Sequence, residues 1–239
     1  MAQAQQHLSP PEKIWQVHIR LNEVFGHLSG HPRRDPMREL ISTMLSHRTT
    51  HTNEEKAYFQ MLEKFPIWQA VMDAPVEELT QALAPAEFPG AKALNIQKAL
   101  RLIQVEHPDF SLDFLHDLDV PQAMAWLMVL PGVGLKTATL VLLFNFQKPV
   151  FPVDTHVHRI SQRVGLIGAK VTHDKAHQIL LDMLPKDALV LYNLHRHLLK
   201  HGQKICTWHS PKCEVCVLQN LCNYYADVRS KGIDLPYKG

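Results

Sequence analysis

The sequence predicts an all-α fold. Apolar residues recur at three- and four-residue intervals in one segment after another, the period of a helix with one buried face. No stretch alternates apolar and polar residues over a useful strand length, and no internal repeat is present. Prolines, glycines and capping side chains fall between the periodic segments, where helices start and stop.

Ser9 before Pro10 and Pro11 opens a first helix carrying Ile14, Val17, Leu21, Val24, Phe25 and Leu28, and Gly30-His31-Pro32 breaks it. Asp35-Pro36 starts a second, with Met37, Leu40, Ile41, Met44 and Leu45 on one face, ending at the polar run Ser46-His47-Arg48-Thr49-Thr50. A third covers about 53–64 and stops at Pro66, and shorter pieces follow near 67–73 and 75–84. The turn 85–90 contains Phe88. A long helix then carries Leu94, Ile96, Ala99, Leu100 and Ile103 to His107-Pro108, and 111–116 is a short helical piece. Segments 121–129 and 135–144 are helical about a glycine turn. Residues 147–153 are extended, held out of helix by Pro149 and Pro152; this linker is the expected crossing between two lobes. Asp154 opens a helix with Val157, Ile160 and Val164. Thr172 caps another that Pro185 ends, and 186–201 is a last long helix, closed by Gly202. A cysteine segment and a polar tail complete the chain.

The chain has 239 residues, 46% hydrophobic and 20% charged, which is globular rather than disordered. A net charge of +2 makes no general electrostatic case for nucleic acid, so any basic surface is local. Sixteen histidines can add positive charge in mild acid. The polar N-terminus lacks a signal-peptide core, and no apolar run reaches the ~18–20 residues of a membrane span. A soluble, cytoplasmic protein is expected.

Chemistry concentrates in three places. Leu130-Pro131-Gly132-Val133-Gly134-Leu135-Lys136-Thr137-Ala138 is too short for anything but a tight helical hairpin. Gly132 and Gly134 are expected in backbone angles closed to other residues, where another molecule can approach the main chain. The second helix starts there with outward N–H groups suited to a phosphate. Lys136 in its first turn sits in the positive end of the dipole, which favours the neutral, nucleophilic amine. An ordinary turn with a surface lysine is the plainer explanation. Asp154 reads first as an N-cap; an antiparallel return would bring it beside Lys136, where a carboxylate accepts the amine's proton. Third, Cys206, Cys213, Cys216 and Cys222 can surround one metal centre. A four-thiolate zinc site and a 4Fe–4S cluster are both compatible, and the wide flanking gaps lean toward the cluster.

Together the hairpin, Val153-Asp154-Thr155-His156 and the cysteine tail resemble endonuclease III of the helix-hairpin-helix DNA glycosylase superfamily. The resemblance runs from about Asp35 to Cys222. It implies a six-helix lobe with the hairpin at 29–148, and a lobe of 1–28 plus 149–239 holding a 4Fe–4S cluster on the four cysteines. It implies a monomeric glycosylase and abasic-site lyase of base excision repair, acting on oxidised pyrimidines in duplex DNA, and nucleoid-associated if bacterial. Lys136 would attack C1′ and form a Schiff base, with Asp154 assisting and Gly132 and Gly134 holding phosphates. Arg48 stands where the family has a glutamine that enters the vacated space, and Phe88 where it has a leucine wedge; a core position under the turn is the alternative for Phe88. Lys212 is the one permanent cation of the loop 207–212. Arg48 keeps open a thymine or uracil mismatch specificity. A non-catalytic iron–sulfur DNA-binding protein would not need Lys136 with Asp154.

Overall fold

The computed structural model describes residues 8–30 and 34–231; the His31-Pro32 part of the first break and the tail beyond 231 lie outside the described residues. The α-helices are α1 (Pro10–Phe25), α2 (Pro36–Ser46), α3 (His51–Lys64), α4 (Trp68–Asp73), α5 (Val76–Ala82), α6 (Pro89–Glu106), α7 (Val120–Val129), α8 (Leu135–Phe146), α9 (Thr155–Val164), α10 (His173–Asp182), α11 (Ala188–Lys204) and α12 (Asn223–Ser230). Short 3₁₀ turns lie at Asp113–His116, Cys213–Val215 and Gln219–Leu221, and no strand occurs among the described residues. No helix among them is long and apolar enough to cross a membrane. Contacts divide the chain into two compact units, His31–Lys148 and Met1–Gly30 with Pro149–Gly239.

The first of these units holds α2 to α8. Its helices begin where the sequence supplies caps. The Asp35 carboxylate accepts from the Arg38 N–H at 3.0 Å, Thr50 accepts from Asn53 at 3.3 Å, and Asp119 and Gln122 form a reciprocal capping box. Helix α8 is the centre, buried from 137 to 143 and packed against α2 and α7. Leu40, Ile41, Leu45, Ile96 and Leu100 of this unit are fully buried, each stabilising the fold by roughly 1.5–3 kcal/mol relative to exposure.

In the other unit α11 packs against α1 and α9. Asn193, fully buried on α11, accepts from the Leu28 N–H at 2.7 Å and donates to the Leu28 carbonyl at 3.1 Å. It thereby replaces the backbone partners that the chain loses on leaving α1. Two buried histidines do the same for the extended segment before α9. The ring Nδ1 of His177 donates to the Phe151 carbonyl at 3.0 Å, and that of His195 to Pro152 at 2.9 Å.

Several boundaries differ from the sequence-based expectation. Helix α1 stops at Gly26, whose φ of 77° turns the chain, so Leu28 lies beyond the helix. Gly202 is not a terminator but a buried residue inside α11, which runs on to Lys204. A Cβ there would lie 2.7 Å from the Cβ of His156, so the glycine is required by close packing. A further helix, α12, follows the cysteine segment. The histidines are not a general reserve of positive charge. Burial pushes His177, His197 and His201 each down to about 4, so these three stay neutral in mild acid.

Candidate active site and cysteine cavity

Helix α7 ends at Leu130 and α8 follows Gly134. Gly132 takes a φ of 82°, and a Cβ there would sit 3.0 Å from the Asn95 Cβ and 3.2 Å from the Met44 Cε. Both conformation and space demand glycine. Gly134 departs from expectation: its φ of −101° is open to any residue. Nothing lies within 4 Å of a Cβ built there, so its contribution is unobstructed approach to the main chain. No side chain caps α8, so no side-chain acceptor occupies the first N–H groups of this helix.

Lys136, half-buried in the first turn of α8, donates from Nζ to the Ser46 Oγ at 3.4 Å. The Ser46 hydroxyl donates in turn to the Thr43 carbonyl at 2.8 Å, so an oxygen lone pair faces the amine. Glu39, a turn earlier on α2, accepts from the Thr43 hydroxyl at 3.4 Å. Burial raises its carboxyl above the usual range, opposed by the charges of Arg34 and Lys136. Asp154 caps α9: its Oδ1 accepts from the N–H groups of His156 at 2.9 Å and Val157 at 2.7 Å. Lys136 belongs to the His31–Lys148 unit and Asp154 to the other.

Arg48 and Phe88 come together although forty residues separate them in sequence. The Arg48 guanidinium carbon lies 5.8 Å from the Phe88 ring centroid, within cation–π range. Phe88 is 54% exposed, which rules out the core position. Both residues sit at φ 56°, in the left-handed region, where a non-glycine residue is strained by about 1–2 kcal/mol. Sequence reasoning passed over the residue beneath them. Lys92 on α6 donates to the carbonyls of Leu45 at 2.7 Å and His47 at 2.9 Å and to the Thr49 Oγ1 at 2.8 Å. Burial pushes its amine below the usual value, opposed by the Glu87 charge. Its signal was a lysine in register with Ile96, Leu100 and Ile103, on the buried face of α6.

The four cysteines line one small pocket, together with Arg163 and Tyr224. Burial pushes the thiols of Cys213 up to about 11 and Cys216 up to about 12, and raises that of Cys222, with the neighbouring sulfurs adding to each shift. Arg163 donates to the Cys206 sulfur at 3.3 Å and to the carbonyls of Thr207 and Trp208 at 2.7 and 2.8 Å, fixing the loop. Lys212 is exposed on that loop. Among the described residues no three His, Cys, Asp or Glu side chains converge as ligands of a single ion. Four thiols lining one pocket are a donor set of the kind a 4Fe–4S cluster takes.

Residues 41–186 match the HhH-GPD superfamily base excision DNA repair protein family. The chain is 35% identical to endonuclease III of Thermotoga maritima over 85% of its own length and 89% of that protein. It is 30% identical to endonuclease III of Escherichia coli strain K12, over 79% and 84% of the two chains. It is also similar to a solved structure of a trapped endonuclease III–DNA covalent intermediate, with a TM-score of 0.79 and 27% identity, covering 93% of this chain and 100% of that one. With a helical hairpin that presents an open main chain and a lysine in one turn, and with these relatives matched over most of their length, the chain belongs to the endonuclease III family of the HhH-GPD superfamily and is a DNA glycosylase of base excision repair.

Proposed function

We propose that this protein is a bifunctional glycosylase and abasic-site lyase that removes oxidised pyrimidines from duplex DNA. The observation that carries the reading is the placement of Lys136: in the first turn of α8, next to the unobstructed Gly134 and uncapped helix start, with its Nζ held at the Ser46 hydroxyl. A phosphate bound to the hairpin backbone would bring the adjoining sugar to that amine.

In this mechanism the Lys136 nitrogen bonds to C1′ as the bond from C1′ to the base breaks, and the electron pair leaves with the base. Asp154 takes up the proton the amine gives away and balances positive charge on the sugar. The ring opens to an imine, a C2′ proton is lost, and the C3′–O bond breaks, cutting the strand on the 3′ side of the lesion. Water then releases the lysine. Arg48 and Phe88 fill the space left when the lesion leaves the stack, which offsets an unstacking cost of a few kcal/mol. Gly132, Gly134 and Lys212 contact the DNA backbone. Cys206, Cys213, Cys216 and Cys222 would hold a 4Fe–4S cluster. When bound, it supplies a redox-capable crosslink that ties the loop 207–212 to the helices beside it.

The test is reduction with borohydride during turnover on a duplex with one oxidised pyrimidine. The protein should become covalently attached to DNA through Lys136, and Lys136→Ala should lose attachment and strand cleavage while still binding DNA. Base release without attachment would make the enzyme monofunctional, and an adduct on another residue would move the nucleophile.

A further inference from the structure

The Lys92 ammonium is buried and fully hydrogen-bonded. The residue is only 7% exposed, and its three N–H groups have three acceptors: the Leu45 carbonyl, the His47 carbonyl and the Thr49 hydroxyl. The two carbonyls lie at the C-terminal end of α2, the negative end of its dipole, where a cation is favoured. That much is a helix cap. The third bond goes further. Thr49 Oγ1 also accepts the backbone N–H of Glu87 at 3.1 Å, and it donates to the His47 carbonyl at 3.3 Å. One hydroxyl thus joins the loop that follows α2 to the loop that precedes α6, with Lys92 beneath both. Arg48 lies in the first loop and Phe88 in the second, each next in sequence to a member of this network. Both hold left-handed backbones that neither residue type prefers, and such conformations persist only where the surroundings over-determine them.

We infer that Lys92, acting with Thr49, is a positioning residue for lesion opening: it clamps the loop of Arg48 to the loop of Phe88, so that both side chains enter the duplex as one preassembled wedge. The inference rests on the reading of Arg48 and Phe88 as the residues that fill the vacated stack. Preassembly matters because ordering two loops during unstacking would add their entropy to a step that is already unfavourable. An apolar residue at 92 would preserve the packing of α6 and remove the ammonium that holds the Thr49 hydroxyl and the end of α2 in place.

Three variants separate the possibilities: Lys92→Met, Thr49→Val and Phe88→Ala. Each is measured by single-turnover strand cleavage on a duplex with a paired oxidised pyrimidine, and on the same duplex with a preformed abasic site, which needs no base extruded. Fluorescence of 2-aminopurine opposite the lesion reports unstacking directly. Lys92→Met and Thr49→Val should each lower the ratio of the two rates by about tenfold, the scale of a lost buried hydrogen bond, with abasic-site cleavage preserved and a weaker 2-aminopurine response. Thr49→Val keeps the ammonium and its two carbonyl partners and removes the hydroxyl that joins the loops, so it carries the test if Lys92→Met does not fold. Parallel loss on both substrates, or no loss on either, overturns the clamp. An unchanged ratio in Phe88→Ala overturns the wedge reading itself, whatever Lys92 does.

Discussion

Alanine at Gly134 should leave the protein folded and weaken its hold on DNA, while alanine at Gly132 should unfold it more readily. At Gly132 the new Cβ meets a φ of 82° and contacts of 3.0 to 3.2 Å with Asn95 and Met44. The left-handed strain alone is about 1–2 kcal/mol, and displacing a packed neighbour adds to it. A loss of about 2–3 kcal/mol is expected. At Gly134 the φ of −101° suits alanine and nothing stands within 4 Å of its Cβ. Stability there should stay within about 1 kcal/mol of wild type, because the freedom the unfolded chain loses offsets the poorer N-cap that alanine makes. The methyl group would instead meet whatever approaches the main chain. Loss of one backbone N–H bond to a charged phosphate, about 1.5–3 kcal/mol, weakens binding by roughly ten- to a hundredfold. Urea denaturation measures the first quantity, and fluorescence anisotropy with a duplex containing a stable abasic-site analogue measures the second. If Gly134→Ala binds that duplex as wild type does, the start of α8 is not a DNA contact. A Gly132→Ala protein of wild-type stability would refute the conformational argument.

Asp154→Asn should keep α9 capped, because asparagine caps as well as aspartate, yet slow base release by about a hundredfold or more; Asp154→Ala should in addition lose about 1 kcal/mol in denaturation. Equal rates for wild type and Asp154→Asn would confine Asp154 to its structural role. Anaerobically purified protein should be yellow-brown, absorb near ~400 nm and contain about four irons per chain. Cys213→Ser should lower that iron content, and one stoichiometric zinc without iron would overturn the cluster assignment. His177, held neutral with its pKa at about 4, binds a proton more readily in the unfolded chain. Its contribution is therefore fully present above pH ~6.5 and is lost as pH falls toward 4, on the order of 1 kcal/mol per pH unit. Urea midpoints at pH 7 and pH 5 should differ less in His177→Gln than in wild type, and an unchanged difference would assign the pH dependence to other groups.

Helix positions, the hairpin and the bunched cysteines were legible because each depends on neighbours a few residues away. Caps such as Asp35, Asp154 and Thr172 act over two or three positions, and helical periodicity is local by nature. The closed fit of Gly202 against His156, the pairing of Asn193 with Leu28 and the neutral histidines were not legible. Each depends on a partner dozens of residues distant, and burial is a property of the packed chain. The same division runs through the candidate site. Lys136, Asp154 and the four thiols stand out as candidates by residue type and spacing alone. Only the tertiary structure separated Gly132 from Gly134, because one glycine faces Asn95 and Met44 and the other faces open space. Only the tertiary structure turned Phe88 outward beside Arg48 and put Lys92 under both loops. A lysine at a core-facing position of α6 looks like an error of pattern until its three acceptors, contributed by a helix end and a loop more than forty residues earlier, are in place around it.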